Sequence, residues 1–331
     1  MSSAQSHPGD DIVTLEEKSS QGCDYVIQHV LPHYLEYNGK FKKNFAMYAT
    51  ESGDFKDSGW PNRINMMDEA IVFCNDSKKA SINSNVRIPI HVVPHAVNCN
   101  KFYQRYDKFN LPIAKDTFVF YFIGEFIRRK NLGALVKAFH SEFSPNENVV
   151  LLVKTSIPNT NPDESYKIVN KFVEEIKMGL KLYNGLQYYK PDIVITAKMT
   201  DEEVMRLHHT AHCLVIPSYQ EGFGLCGLDA LGMGKPVITN KIGGMKDYLD
   251  EESGWLIDNT EEDAFAAVET FPWLNTAGDK WANINMGQLK KAMREAYSDH
   301  ELYTKKSEAA MDVVHRYSYE NVGKKFLEIL Q

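Results

Sequence analysis

Glu221 and Asp229 stand eight positions apart around Gly222, Gly224 and Gly227. A carboxylate accepts hydrogen bonds from paired hydroxyls, so two of them at this spacing suit a ligand with a sugar ring at one end and a ribose at the other. The glycines let backbone N–H groups come close to such a ligand. A plainer reading of the same residues has Glu221 capping a helix and Asp229 facing solvent.

The elements that position these groups follow from the flanking pattern. Residues 213–216 form a short apolar run suited to a buried parallel strand, Pro217 to Gln220 break it, 225–233 read as a helix and 237–239 as a second strand. The helix turns its amino end, with unpaired donors and positive dipole, toward the glycine loop, and a phosphate fits there. Before this segment, strands are expected at 118–123, 149–153 and 193–196, with amphipathic helices at 132–143, 166–182 and 201–210. Such alternation predicts a doubly wound parallel sheet, whose ligands lie beyond the carboxyl ends of the strands.

An earlier and smaller α/β series has expected strands at 25–30, 45–50, 70–74 and 90–94, separated by lengths that βαβ crossovers require. Residues 101–115 read as a linker, and 1–21 as a loose tail with little to bury. After Trp255 the pattern is read as helical. Thr260 and Asp263 offer an aspartate form of a capping box ahead of a helix at 264–270, followed by helices at 286–297, 301–316 and 319–330. The expected division is a tail at 1–21, an amino-terminal α/β domain at 22–113, a carboxy-terminal domain at 114–316 and a terminal helix at 317–331.

Length and composition set the limits. A chain of 331 residues accommodates two domains, and 43% apolar with 24% charged residues is ordinary for a soluble globular protein. No apolar run approaches the roughly 18–20 residues of a membrane span and the first 21 residues are polar, which predicts a cytoplasmic protein without a secretory signal. Five scattered cysteines suit a reducing compartment, and a net charge of −7 argues against a general polyanion-binding surface.

On these residues the chain resembles the retaining nucleotide-sugar glycosyltransferases of family 4, which have the GT-B fold of two facing Rossmann-like domains. The run EGFGLCGLD over 221–229 looks like that family's E-x7-E signature, with aspartate in place of the second glutamate. The resemblance implies that Glu221 meets hydroxyls of the donor sugar, that the amides of Gly222, Phe223, Gly224 and Leu225 meet the diphosphate, and that Asp229 meets the ribose. FIGEFIRRKNL over 122–132 is similar to the family's strand, Gly124 turn and basic helix start. There Arg129 and Lys130 would face the departing diphosphate, since preplaced cations stabilise the charge that a breaking glycosyl–phosphate bond leaves on oxygen. Many relatives carry arginine where this chain has Glu125, so Arg128 or Arg129 would have to serve instead.

Weaker matches keep the family's order. Lys198 and Met199 resemble the loop that packs on the nucleotide base, GGMKD over 243–247 resembles a G-G-x-x-E turn, and YSYE over 317–320 resembles the start of a helix that crosses back to the first domain. In the first domain, His29 ends a strand in the place of a histidine that the family directs at the donor sugar. His95 corresponds to an interdomain turn and is read as architectural, and Glu51 resembles a strand end bordering the acceptor cleft.

The resemblance implies transfer of a sugar from a UDP- or GDP-linked donor to an acceptor hydroxyl with retention, without metal or other cofactor. Two alternatives remain: a nucleotide-sugar-binding scaffold subunit without turnover, and a GT-B nucleotide-sugar epimerase. The stretch before Tyr25 is short for the family, which predicts a reduced acceptor half, one completed by a homodimer or a partner chain, or a reading frame that begins late. Attachment at a membrane periphery is open, and no transmembrane segment is expected. His208 and His212, at helical i, i+4 spacing, are read as residues of a solvated helix rather than metal ligands, and Trp60, Trp255, Trp273 and Trp281 as packing residues.

Overall fold

A computed structural model describes residues 15–264 and 279–331. The first sheet is parallel, with strands β1 (Tyr25–His29), β2 (Lys43–Met47), β3 (Glu69–Val72) and β4 (Ile90–Val92) in that spatial order. Two short helices, α1 (Trp60–Ile64) and α2 (Asn75–Asn83), make its crossovers. Side chains alternate across β2, so Ala46 packs with Tyr48, Phe55 and Trp60 on one face while Phe45 packs with Ile71 and Val93 on the other.

The second sheet has six parallel strands: β5 (Phe118–Glu125), β6 (Val149–Ser156), β7 (Asp192–Ile195), β8 (Cys213–Ile216), β9 (Val237–Asn240) and β10 (Gly254–Ile257). Their spatial order is β10-β9-β8-β5-β6-β7, which places the topological switch between β5 and β8. Helices α3 (Leu132–Glu142), α4 (Pro162–Leu180), α5 (Asp201–Thr210), α6 (Leu225–Gly232) and α7 (Met245–Tyr248) connect the strands. The helix expected to begin at 166 begins at Pro162 instead, because Asn161 caps it by accepting from the Glu164 N–H at 2.9 Å and proline suits the first helical position.

The reading of the chain after Trp255 as helical is corrected. Residues 254–257 are β10, in register with β9, a four-residue apolar run too short for periodicity to type. Thr260 and Asp263 cap no helix: they lie in β11 (Asn259–Asp263), which pairs antiparallel with β12 (Lys280–Ile284) as a two-stranded ribbon. Its NTEED sequence carries no strand signal, because pairing with β12 and not burial sets its conformation. The helix expected at 264–270 and Trp273 lie outside the described residues. Helices α8 (Met286–Ser298), α9 (His300–His315) and α10 (Tyr319–Leu330) follow. The last returns to the first sheet, where Val322 joins Phe45, Ile71 and Val93 and the Val97 N–H donates to Tyr317 O at 2.8 Å.

His208 and His212 are not solvated, correcting that expectation. His208 is fully buried with Nδ1 at 2.7 Å from the Tyr121 hydroxyl, and His212 Nδ1 accepts from the Val119 N–H at 3.0 Å. Burial pushes the pKa of both down, to about 3 for His208 and about 4 for His212. Both histidines tie α5 and its following turn to β5. Among the described residues no group of His, Cys, Asp or Glu is arranged to hold a metal ion, and no helix is long and apolar enough to cross a membrane. Trp60, Trp255 and Trp281 are buried.

Candidate active site

The site grows from the carboxyl ends of β5 and β8, the two strands that flank the switch. Beyond β5 the chain turns at Gly124 and makes a 3-10 turn, Arg128–Lys130. It enters α3 through Asn131, whose φ of 50° lies in the left-handed region that asparagine tolerates. Beyond β8 runs the loop 217–224. The Tyr219 N–H donates to Arg129 O at 2.8 Å, and the Arg129 guanidinium donates to Gln220 O at 2.7 Å, so the two bends face each other.

Glu221 sits between them with 8% of its surface exposed. Lys130 Nζ lies 2.5 Å from its carboxylate, the Ser218 hydroxyl donates to it at 2.7 Å, and Arg129 is 3.4 Å away. Burial pushes its pKa up, but Lys130 and Arg129 outweigh that and hold it at about 2. Glu221 is therefore a buried carboxylate held by charge-assisted bonds, and it does not cap the following helix. Arg129 also pairs with Glu51 of the first domain at 2.8 Å, whereas Arg128 turns away to Glu262 at 3.6 Å and to the Trp281 ring. Arg128 thus offers no second cation beside Lys130.

Next to this cluster, the N–H groups of Phe223, Gly224 and Leu225 make no hydrogen bond among the described residues. They open α6 and form a ready anion cradle. Gly224 has a φ of +81°, and a Cβ there would stand 2.9 Å from Met245 Cγ. One turn along α6, Asp229 does not face solvent freely. Lys101, from the segment read as a linker, pairs with it at 2.6 Å, while burial keeps its pKa above the ordinary value.

The other expected site residues are dispersed around this centre. Gly124 is beside it, with Lys130 Cδ 3.6 Å from the position of a Cβ. His29 is exposed at the end of β1 and makes no ion pair with the Glu221 cluster among the described residues. It meets Phe73 edge-on at 5.3 Å, His95 stacks on Phe73 at 3.7 Å, and His95 meets Phe223 at 5.3 Å, so a row of rings links His29 to the glycine loop. Burial and the neighbouring His29 push the pKa of His95 down to about 4, which leaves it neutral at pH 7. Lys198 is exposed and Met199 packs against the core of the second domain.

Loops of the first domain close over the second. Asp247 accepts from the Asn75 N–H at 2.8 Å and its amide at 3.1 Å, and Asp76 accepts from the Gly243 N–H at 2.9 Å and pairs with Lys246 at 2.7 Å. The Cys74 thiol donates to Gly222 O at 3.1 Å. Asp247 therefore takes the first N–H of α2 across the domain boundary, beside Cys74, which caps the helix through the Ser77 N–H. Beside this clasp lies a cavity of about 510 Å³ between the domains, with Glu51 and Glu221 in its wall. Lys101 has no signal in the sequence, since its partner is distant along the chain; Ser218, three residues before Glu221, belongs to no recognisable spacing, and the GGMKD turn marks Asp247 without marking its distant partner on α2.

Comparison with known proteins follows this geometry. The D-inositol 3-phosphate glycosyltransferase of Corynebacterium urealyticum is 28% identical over 160 residues, which is 48% of this chain and 30% of that protein. The capsular polysaccharide biosynthesis glycosyltransferase CapM of Staphylococcus aureus is 25% identical over 169 residues, 50% of this chain and 38% of that one. The aligned parts thus span about a third of each relative. Among solved structures, sucrose-phosphate synthase of Thermosynechococcus elongatus has a TM-score of 0.65 at 16% identity, covering 93% of this chain and 73% of its own. Anabaena HepE in complex with UDP and glucose has a TM-score of 0.59 at 16% identity, covering 86% and 71%. The fold is therefore GT-B, and residues 117–269, which carry the whole Glu221 cluster from Gly124 to Asp229, match the family described as glycosyl transferases group 1.

Proposed function

We propose that this chain is a retaining glycosyltransferase that takes a sugar from a UDP- or GDP-linked donor and gives it to an acceptor hydroxyl without a metal. The observation that carries the reading is the ionised Glu221, fixed at 2.5 Å by Lys130 next to the unpaired amides of Phe223, Gly224 and Leu225. On this reading the amides and Lys130 take the diphosphate, Glu221 takes donor-sugar hydroxyls, Asp229 takes the ribose after exchanging Lys101 for hydroxyls, Lys198 and Met199 border the base, and His29 approaches the sugar. The acceptor oxygen bonds to the anomeric carbon as the bond from that carbon to phosphate oxygen breaks. The electron pair leaves with the diphosphate, which takes the hydroxyl proton on the same face. The match to glycosyl transferases group 1 and the UDP and glucose bound by HepE support it.

Asp229 and Asp247, aspartates where the family pattern has glutamates, also favour a second reading, a subunit that binds nucleotide sugars without turnover. Turnover separates the two, and formation of a new nucleotide sugar with no acceptor present identifies an epimerase. Thermal-shift titration against UDP- and GDP-sugars, with product analysis by NMR, tests the proposal. A stabilising ligand at about a hundred times its Kd adds about 2.7 kcal/mol, enough for a shift of several degrees. Transfer with an unchanged anomeric configuration is expected. No shift and no consumption across the panel overturns the reading.

A further inference from the structure

Helix α6 has one face that is not buried. Gly227, Leu228, Ala230, Leu231 and Gly232 are inside, whereas Leu225 is 45% exposed and Asp229 follows it by one turn. At i and i+4 the two share a face, so the Asp229 carboxylate stands on the open side of the helix, about 6 Å along its axis from the cradle amides. Lys101 Nζ meets that carboxylate at 2.6 Å, with 28% of the lysine side chain and 21% of the aspartate side chain exposed.

Lys101 reaches Asp229 from the segment between the domains, and its neighbours hold it there. It belongs to a 3-10 turn, Cys99–Tyr103, which Asn98 caps by accepting from the Asn100 N–H at 3.1 Å. Phe102 presses this turn onto α6, where a Cβ on Gly232 would stand 2.5 Å from its ring, and the Tyr106 hydroxyl donates to Lys101 O at 2.8 Å. The backbone of the turn is thus fixed while the four-carbon stem of the lysine is free to swing. Its partial exposure lets the ammonium return to water without burying a bare charge. What the swing leaves behind is a carboxylate whose two oxygens need donors.

Chemistry sets what can replace the ammonium. Vicinal hydroxyls offer one O–H to each carboxylate oxygen, whereas a single hydroxyl serves one oxygen and leaves the other bare. We propose that Lys101 is a specificity-determining residue for the nucleotide: it competes with the ribose for Asp229, so that a nucleotide bearing both the 2′- and the 3′-hydroxyl displaces it and a 2′-deoxynucleotide does not. This rests on the donor reading above, in which Asp229 takes the ribose. Lys101 therefore weakens ribonucleotide binding and leaves deoxynucleotide binding as it is.

Calorimetric titration with UDP and GDP and with their 2′-deoxy forms tests it, because the members of each pair carry the same charge and differ in one hydroxyl. The native protein favours the ribonucleotide. Lys101→Met removes the competitor, so the ratio of ribo to deoxy affinity rises about tenfold, the worth of one hydrogen bond to a charged group, through tighter ribonucleotide binding alone. Asp229→Asn brings the ratio to about one, and adding Lys101→Met to it changes the ratio no further. That double variant leaves neither charge of the pair without its partner, so it keeps the comparison open should Lys101→Met alone misfold. A ratio unchanged in Lys101→Met, whether or not overall affinity falls, or a native ratio retained in Asp229→Asn, overturns the role of Lys101, while ribonucleotide binding by the native protein keeps the donor reading. Binding of neither UDP nor GDP by the native protein removes both.

Discussion

Glu221 and Lys130 depend on each other, and this sets what their substitution does. Lys130→Ala removes the nearest cation from a buried carboxylate, which costs several kcal/mol in comparable pairs, so the variant melts several degrees lower. On the proposed reading it also weakens UDP or GDP binding about ten- to a hundredfold by calorimetry, and Lys130→Arg restores part of both. Unchanged nucleotide affinity in Lys130→Ala excludes its diphosphate role. Glu221→Gln lowers transfer more than nucleotide binding, and equal losses argue against a sugar contact. The pH dependence has a definite sign. The pKa of Glu221 is depressed to about 2 in the fold, so its stabilising effect is complete above its unfolded value near 4.5 and disappears as pH falls toward 2. The Tm gap between the native protein and Glu221→Gln is therefore constant from pH 7 to 5 and narrows below, which a series of melts checks. Spacing made Glu221, Lys130 and the glycines legible. It was silent on Lys101, because an ion pair between a connecting segment and α6 leaves no periodic trace.

Strands β5 and β8 were readable because buried parallel strands are short apolar runs followed by breakers, and the breakers here carry the candidate site. The β11–β12 ribbon was not, since exposed antiparallel pairs of charged residues carry neither period nor apolar content. The loop 241–244 shows how tightly these elements are fitted. Gly243 has a φ of +52°, and a Cβ there would fall 1.8 Å from Glu221 O, a backbone atom that cannot rotate away. Gly243→Ala must displace the Glu221 loop, so it lowers Tm and, on the proposed reading, donor affinity as well. An unaltered Tm rules out this contact. The clasp has a separate signature. Asp247→Ala leaves the Asn75 N–H at the amino end of α2 without its acceptor, while Cys74 still caps the Ser77 N–H, a loss of about 1 kcal/mol. Hydrogen exchange then rises in 75–83 while β5 and β6 keep their protection, and uniform protection in both regions contradicts an interdomain cap.

At the scale of the molecule, the two sheets are joined by the loop clasp, the Glu51–Arg129 pair, the packing of Phe73 and His95 against Phe223, and α10, which leaves the second domain and packs on the first. The YSYE run marks where that helix starts, and nothing in it marks the anchorage. This comes from Val322, 2% exposed against Phe45, Ile71 and Val93, with Phe326, Ile329 and Leu330 around it. The first sheet has only four strands, so one of its two hydrophobic faces depends on a helix supplied from the far end of the chain. A charge at that contact would be buried without a partner. Val322→Asp consequently costs about 3 kcal/mol or more, and the loss falls unevenly. Exchange protection drops in β2, β3 and β4, whereas β5, β6 and β8, whose covering residues come mostly from the second domain, retain theirs. Melting changes from one transition to two, the earlier belonging to residues 25–92. If the variant still melts in a single step with uniform exchange, α10 is not what holds the first sheet, and its stability must come from the loop clasp, the Glu51–Arg129 pair and the packing of Phe73 and His95 against Phe223.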